Sequence, residues 1–315
     1  MKLIPAFLRL IRWPNLVFIA LTQVLLYYSL VEPLTLKGIG TSFLQIHLIL
    51  LITASVLIAA AGYIINDYFD LNIDQVNKPG RMIIGKVIKR RWAIAWHILL
   101  SLAGLIISFY ISYQLHSYWL GLSNLACIFL LFGYSITLKK KLLLGNILIS
   151  VLTAWVIVVA FLCYYQSLYC NGCYATNPDS LFRRFIKISF LYAGFAFVIS
   201  LIREVVKDME DREGDTKYGC RTMPIVWGIP ASKVFVAVWI IVLIGTLGVV
   251  QFYVLQFGWW WSAVYCFLLI IIPLLWIIQK LYRANVPKDY HQLSTGIKLV
   301  MFTGILSMLF FKIYS

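Results

Sequence analysis

Charged residues are scarce in this sequence: Asp, Glu, Lys and Arg make up 12% of its 315 residues, against about 25% in a typical soluble domain. Apolar residues take their place at 62%, and the mean hydropathy is +0.88. A globule of this composition has too few polar groups to cover its surface. The composition therefore excludes an ordinary soluble protein and a disordered chain, and it predicts an integral membrane protein.

Cysteines are also few, six in all, and four of them lie in or beside apolar runs, which excludes a disulfide-knotted secreted module. Only Cys170 and Cys173 are closely spaced, and we expect them on the outer side of the membrane, where a disulfide can form. No small-residue cleavage site follows the first apolar run, so no cleavable signal peptide is expected.

The apolar residues fall into long runs, and a spanning helix needs about 20 of them in succession. Nine such runs predict an all-α, polytopic membrane protein with one domain over residues 1–315. The predicted spans are 15–31, 44–65, 92–113, 118–138, 144–165, 185–202, 234–255, 259–281 and 293–313.

Basic residues predict the orientation. The chain has 27 Lys and Arg against 12 Asp and Glu, and these cations sit in short loops, where they set topology and contact membrane lipids rather than nucleic acid. With the N-terminus in the cytoplasm, the cytoplasmic segments hold 22 of the 27 and the outer segments hold five. We therefore expect a cytoplasmic N-terminus and an outer C-terminus. Nothing in the sequence indicates an obligate protein partner.

Nine of the twelve acidic residues are concentrated in two stretches, 66–74 and 204–215. Each stretch follows a predicted spanning helix on the cytoplasmic side, four helices apart, which suggests a weak internal duplication. At about 100° per residue, Asn66, Asp70 and Asp74 share roughly 80° of arc. Glu204, Asp208, Asp211 and Asp215 share roughly 60° in the same way. Both stretches therefore predict a column of oxygen ligands at a helix end.

Like charges on one face repel, most strongly beside a low-dielectric membrane, so such columns need a cation. Oxygen ligands favour Mg²⁺, which usually shares its coordination with a substrate phosphate. The two columns together predict Mg²⁺ ions around a diphosphate. The alternative for either cluster alone is a set of solvated loop acids that balance nearby Lys and Arg.

Basic residues close to the acidic stretches are candidates for binding the diphosphate. A Pro-Gly turn separates Lys78 from Arg81 and directs both toward the first stretch. The other candidates are Lys139, Lys207 and Arg221. For each of them, a role in setting topology is an equal alternative. Asp67 points about 100° away from Asn66 and is a candidate to orient a ligand or a base.

These residues carry a resemblance to a known family. The pattern N-D-x-x-D-x-x-x-D at 66–74, followed by N-x-P-x-R at 77–81, resembles the first aspartate-rich signature of the UbiA superfamily of intramembrane prenyltransferases. The pattern D-x-x-D-x-x-x-D at 208–215 resembles the second signature. Further matches are Tyr134-Ser135 with Lys139, Gly145-Asn146, and residues 221–224. Within the superfamily, the chain looks most like the geranylgeranylglyceryl-phosphate prenyltransferase branch, whose members make ether lipids.

The resemblance implies a helix bundle around a central cavity, in which a polyprenyl group passes from its diphosphate to a lipophilic acceptor. It implies Mg²⁺ as the cofactor, with six expected ligands: Asn66, Asp70, Asp74, Asp208, Asp211 and Asp215. The five aspartates among them are also the expected catalytic residues. It implies substrate contacts from Asn66, Lys78, Arg81, Tyr134, Lys139, Lys207 and Arg221. Tyr63, Tyr68 and Tyr134 are candidates to stabilise an allylic cation through their ring faces.

Two other functions fit parts of the pattern. An aromatic prenyltransferase of quinone biosynthesis needs the same Mg²⁺–diphosphate half-site, so the motifs do not separate it from the ether-lipid branch. Met82 stands where a proline commonly follows the arginine in the family, in a loop that shapes the acceptor side, and this keeps the aromatic alternative open. A cation transporter is the second alternative, but transport sites usually lie near the bilayer midplane rather than at helix ends.

Overall fold

The computed structural model describes residues 3–32, 41–77, 79–80, 82–171 and 178–314. Over these residues the chain is helical, without strands, and an isolated bridge joins Ile84 to Ile88. Lys78, Arg81 and Cys173, about which the sequence made predictions, lie outside the described residues. The predicted all-α class is confirmed.

The helices are numbered in chain order. They are α1 (Leu3–Leu10), α2 (Trp13–Leu26), α3 (Thr41–Phe69), α4 (Leu71–Asn77), α5 (Arg90–Gln114), α6 (Trp119–Ile136), α7 (Leu144–Asn171), α8 (Pro178–Glu210), α9 (Arg212–Lys217), α10 (Met223–Val226), α11 (Gly228–Leu255), α12 (Trp260–Cys266), α13 (Ile272–Arg283), α14 (Pro287–Leu306) and α15 (Leu309–Ile313). Short π-helical segments extend α2 through Tyr27–Val31 and join α12 to α13 through Phe267–Ile271.

Nine helical segments of the described chain are long and apolar enough to cross a membrane, as the sequence predicts. They are Trp13–Val31, Gln45–Phe69, Arg90–Gln114, Trp119–Ile136, Leu144–Ser167, Phe185–Glu210, Gly228–Leu255, Trp260–Arg283 and Pro287–Ile313. Several segments extend past the predicted ends because polar residues continue a helix at its water-facing end. The largest extensions are at Phe185–Glu210, predicted to end at 202, and at Gly228–Leu255 and Pro287–Ile313, predicted to begin at 234 and 293.

The chain forms two compact units, and the first comprises Met1–Leu138 and Trp155–Phe190. Its centre is the contact between α3 and α5. A side chain at Gly104 of α5 would place its Cβ 2.8 Å from Ile58 Cγ1 and 3.2 Å from the Ala54 carbonyl oxygen, both on α3. Any side chain at this position would therefore clash with α3. Small residues such as glycine let membrane helices approach closely. The His97 ring on α5 also hydrogen-bonds the Ala61 carbonyl of α3 at 3.0 Å.

The second unit comprises Lys139–Ala154 and Leu191–Ser315. Its core is apolar and includes Val206, Ile240, Leu274 and Ile297, all fully buried. Gly304 allows α14 to approach α8, because a Cβ there would lie 2.7 Å from the Phe195 ring. This close approach packs α14 against the part of α8 around Phe195.

Candidate functional site

The first acidic stretch begins in the last turn of α3 and continues into α4. The regular helix breaks at Asp70, but the Asp70 amide still donates to the Asn66 carbonyl at 3.0 Å and the Asp74 amide to the Asp70 carbonyl at 2.8 Å. The helical spacing of these three residues is therefore preserved across the break. The Asn66 side-chain amide donates to Asp70 Oδ2 at 2.8 Å, which joins two of the predicted ligands directly.

Arg12 adds a cation to this stretch. Its guanidinium donates to Asp67 Oδ1 at 2.7 Å and lies over the Tyr63 ring, 5.1 Å from the ring centre. Tyr63 and Asp67 are one turn apart on α3, so Arg12 contacts one continuous face. The Asp67 charge raises the pKa of the Arg12 guanidinium, which stays a cation at all working pH values. From the sequence, Arg12 was one of the 22 cytoplasmic cations that set the orientation, and Tyr63 was a candidate to stabilise an allylic cation.

The backbone at Arg12 makes this contact possible. Arg12 stands between α1 and α2 with φ 51° and ψ 51°, in the left-handed region. A non-glycine residue there costs about 1–2 kcal/mol. The strained turn, followed by Pro14 in the first turn of α2, ends one helix and starts the next at the residue that reaches Asp67. This turn was not predicted from the sequence, although Pro14 in the Arg-Trp-Pro-Asn segment at 12–15 is a signal for a helix start.

The second acidic stretch has the same local plan. Helix α8 ends at Glu210, Asp211 forms a bend, and α9 starts at Arg212. The Asp211 amide donates to the Lys207 carbonyl at 2.9 Å and the Asp215 amide donates to the Asp211 carbonyl at 3.2 Å. The helical spacing predicted for this stretch therefore also continues past the break.

Asp208, one of the predicted ligands, is oriented from α7. The Asn146 side-chain amide donates to Asp208 Oδ2 at 2.8 Å, and Asn146 itself is buried. The bond orients the carboxylate, and because the amide is neutral it brings no positive charge to the site. From the sequence, Asn146 was a match to the family pattern with no predicted role. Its pairing with Asp208 spans 62 positions, a separation that no sequence pattern revealed.

Glu204, one turn before Asp208, is surrounded by cations. Arg203 Nη1 lies 3.0 Å from Glu204 Oε1, and Lys207 Nζ lies 3.1 Å from both Glu204 oxygens. Lys207 was predicted to contact a diphosphate, and here it pairs with Glu204. Glu204 therefore differs from the predicted metal ligands, because protein cations already balance its charge.

A loop from the second stretch returns toward the start of α7. The Cys220 amide donates to the Asp215 carbonyl at 2.9 Å, and the Arg221 amide donates to the Lys140 carbonyl at 2.8 Å. Lys139 precedes Lys140 in a short 3₁₀ helix, Leu138–Lys140. The structure therefore brings the backbones of two predicted cations, Lys139 and Arg221, close together. Tyr134 lies near the end of α6, half-buried.

The donor chemistry of the acidic stretches fits Mg²⁺. Across the described residues, no three His, Cys, Asp or Glu side chains are grouped so that they could hold a metal ion. Magnesium does not require such a cage, because it is usually bound by one or two carboxylates together with waters and substrate phosphates. Carboxylate and amide oxygens are its preferred ligands. The first stretch supplies oxygens of both kinds from Asn66 and Asp70. The second supplies the Asp208 carboxylate, and Asn146 of α7 places an amide beside it.

Comparison with known proteins decides the family. The UbiA prenyltransferase family matches residues 16–306. The chain belongs to this family. It is an integral membrane prenyltransferase, and both aspartate-rich stretches lie inside the matched region.

Individual relatives agree with the family. The digeranylgeranylglyceryl phosphate synthase of Saccharolobus solfataricus is 30% identical over 305 residues, which cover 96% of this chain and 95% of the relative. A solved structure from work on digeranylgeranylglyceryl phosphate synthase in membranes has a TM-score of 0.61 at 22% identity, covering 98% of this chain and 99% of that one. A UbiA homologue from Archaeoglobus fulgidus, bound to GPP and Mg²⁺, has a TM-score of 0.55 at 16% identity, covering 96% and 99%. These two likenesses confirm the fold.

Proposed function

We propose that this UbiA-family protein transfers a geranylgeranyl group from its diphosphate to geranylgeranylglyceryl phosphate in a Mg²⁺-dependent reaction. The observation that carries the proposal is a repeated arrangement. Two spanning helices, α3 and α8, each end in carboxylates at helical spacing, and in each stretch one carboxylate accepts a hydrogen bond from an asparagine amide. This arrangement suits a divalent ion and a phosphate-bearing substrate better than it suits solvent.

The metal ligands in this proposal are those that the sequence predicts, namely Asn66, Asp70, Asp74, Asp208, Asp211 and Asp215. Mg²⁺, when bound, offsets the charge that develops on the departing diphosphate. Its presence in the related Archaeoglobus fulgidus homologue, together with GPP, supports the assignment. Asn146 orients Asp208, and Asn66 orients Asp70, so that each ligand is held before substrate arrives.

The diphosphate is also held by protein cations. We assign this role to Lys78, Arg81, Lys139, Lys207 and Arg221, with Tyr134 beside the prenyl group. Lys207 pairs with Glu204, so its contact with a diphosphate requires it to exchange one anion for another. Multiple N–H donors around a phosphate stabilise the leaving group in the transition state.

The reacting carbon must be kept from water, because water captures an allylic cation rapidly. The nine apolar segments supply hydrocarbon surroundings for a polyprenyl chain, which is as apolar as the helices themselves. Membrane residence therefore serves both to dissolve the donor tail and to exclude water.

The acceptor assignment rests on the relative from Saccharolobus solfataricus, which is named for the digeranylgeranylglyceryl phosphate product. The test is to incubate the purified protein with geranylgeranyl diphosphate, Mg²⁺ and either geranylgeranylglyceryl phosphate, 4-hydroxybenzoate or dihydroxynaphthoate. We expect a prenylated product from the glycerophosphate lipid alone, identified by its mass. A prenylated aromatic acid as the main product would replace the proposed acceptor with an aromatic one.

The orientation of the protein follows from its basic residues. We assign the N-terminus and both acidic stretches to the cytoplasmic side and the C-terminus to the outer side, because 22 of the 27 Lys and Arg then face the cytoplasm. A reporter fused to the C-terminus that is active only outside the membrane checks this. Activity from a cytoplasm-specific reporter at the same position would reverse the orientation.

A further inference from the structure

The second unit contains a polar pocket that the proposed reaction does not use. It has a volume of about 240 Å³ and lies between the last turns of α13 and the first turns of α14. Its polar lining consists of Gln279, Lys280, Arg283, Asp289 and Gln292, with Trp276 forming a wall.

The pocket is rich in hydrogen-bond donors that have no protein partner. Within the described part of the chain, neither Lys280 nor Arg283 forms an ion pair, and the side-chain amides of Gln279 and Gln292 form no hydrogen bond. The Lys280 ammonium lies over the Trp276 ring, 5.3 Å from its centre. Two cations and two amides thus face one small volume with their donors available.

Among the described residues that line the pocket, the single acidic side chain, Asp289, is already hydrogen-bonded to the backbone. Asp289 Oδ2 accepts from the Asn285 amide at 2.9 Å and from the Val286 amide at 3.2 Å, which closes the start of α14. The charged residues of the lining are Lys280, Arg283 and Asp289, so the pocket carries one positive charge in excess. The pocket therefore matches an anion with several acceptor oxygens, the chemistry of a phosphate group.

The pocket is held in place by its surroundings. The Lys233 ammonium donates to the carbonyls of Tyr282 and Ala284, at the end of α13. The Tyr290 hydroxyl also donates to the Ala284 carbonyl, at 3.2 Å. These contacts fix the turn between the two helices, so binding does not have to order it.

Size and position select the ligand. Pockets for drug-sized molecules usually measure about 300–1,000 Å³, so 240 Å³ holds a compact polar group and excludes a polyprenyl chain. Both helices belong to predicted membrane spans, and the pocket lies at their polar ends, with Trp276 44% exposed. On α14 His291 Nδ1 contacts Glu210 Oε1 of α8 at 3.0 Å, so the pocket lies at the same end of this unit as the second acidic stretch.

We propose that this pocket binds the phosphate of an anionic membrane lipid whose hydrocarbon chains stay in the bilayer. Lys280 and Arg283 bind the phosphate oxygens, Gln279 and Gln292 bind the remaining acceptors, and Trp276 packs against the glycerol. The site is separate from the prenyl-transfer residues and does not depend on the reaction proposed above.

The test measures lipid binding to the purified full-length protein in detergent by native mass spectrometry, with phosphatidylglycerol and phosphatidylcholine titrated separately. We expect phosphatidylglycerol to bind about tenfold more tightly, and Lys280→Gln or Arg283→Gln each to remove most of that preference, because a hydrogen bond to a charged group is typically worth about a factor of ten or more. Lys288→Gln is the matched control, because Lys288 is an exposed cation on α14 outside the pocket. It should leave the preference unchanged.

Gln292→Glu is a second variant, which keeps the exposed surface hydrophilic and places a carboxylate against the phosphate. It should also abolish the preference for phosphatidylglycerol. Equal binding of the two lipids, or an equal loss in Lys288→Gln, would overturn the site in favour of diffuse surface attraction. A separate arm adds inorganic phosphate alone and records the melting temperature. Stabilisation by inorganic phosphate that Arg283→Gln removes, without a lipid preference, would overturn the lipid as the source of the phosphate.

Discussion

The two acidic stretches follow one plan but are held by different partners. In each, a spanning helix breaks at a single carboxylate, Asp70 or Asp211, and a short helix follows with the hydrogen-bond spacing unbroken. In the first stretch Asp67 is bound by a cation, Arg12, at 2.7 Å. In the second, Asp208 is bound by a neutral amide, Asn146, at 2.8 Å.

This difference separates two kinds of carboxylate. A cation bound to a carboxylate offsets its charge and competes with a metal, whereas a neutral amide fixes one oxygen without adding a competing positive charge. We therefore expect Asp208 to act as a ligand and Asp67 to act as an anchor for the Arg12 turn. Glu204 is of the same kind as Asp67, a carboxylate paired with protein cations, because Arg203 and Lys207 both pair with Glu204.

The largest expected effect comes from the carboxylate at each break. Asp70→Ala and Asp211→Ala should each lower turnover by about a thousandfold or more, because a metal ligand supplies several kcal/mol of charge stabilisation and each 1.36 kcal/mol is tenfold in rate. The measurement is transfer of labelled geranylgeranyl diphosphate at saturating Mg²⁺. Melting temperature with and without Mg²⁺ gives a second readout, and Mg²⁺ should no longer stabilise either variant.

Glu213→Gln is the control for this pair. Glu213 is an exposed carboxylate on α9 that lies off the predicted ligand column, so its loss should leave turnover within about twofold of the parent, as surface charges contribute little. If only one of Asp70→Ala and Asp211→Ala lost activity, the two stretches would not be equivalent. Full activity in both would refute the metal assignment.

The amide of the second stretch should have an intermediate effect. Asn146→Ala removes the donor to Asp208, and losing a partner that orients a metal ligand typically costs about 10–100-fold in metal affinity or activity. We expect the Mg²⁺ concentration for half-maximal activity to rise, with turnover partly restored at high Mg²⁺. Ser150→Ala, one turn further along α7, removes a hydroxyl bound to the Asn146 carbonyl and should not shift the Mg²⁺ requirement. An unchanged Mg²⁺ requirement in Asn146→Ala would mean that Asp208 needs no orienting partner.

The sequence predicted the helices and the spacing of the carboxylates because both depend on local order. Apolar runs of sufficient length specify spans, and residues four apart share a helix face whatever their tertiary surroundings. The predicted columns accordingly keep their spacing through the breaks at Asp70 and Asp211. The break positions themselves gave no signal, since neither Gly nor Pro marks them.

The partners of the carboxylates could not be predicted for the opposite reason. Arg12 reaches Asp67 across 55 positions and Asn146 reaches Asp208 across 62, and these contacts depend on how the helices pack. Arg12 resembled any other cation near a membrane boundary. Lys207 was equally ambiguous, because its i,i+3 spacing from Glu204 allows a local ion pair and its place beside the acidic stretch also fits a contact with substrate.

The smallest effect should come from the anchor of the first stretch. Arg12 and Asp67 are partly exposed, with side-chain exposures of 36% and 22%, so their ion pair should contribute about 1 kcal/mol at most. Arg12→Gln and Asp67→Asn should each lower the melting temperature by a few degrees and activity by about tenfold or less. If Arg12 acts through Asp67, the double variant should be no worse than the poorer single variant. Arg9→Gln, a cation on α1 that is exposed, should have no effect. Additive losses in the double variant would show that Arg12 serves the first stretch through the Tyr63 ring or Asp70 instead. A thousandfold loss of activity in Asp67→Asn would place Asp67 among the metal ligands and remove the distinction between the two stretches.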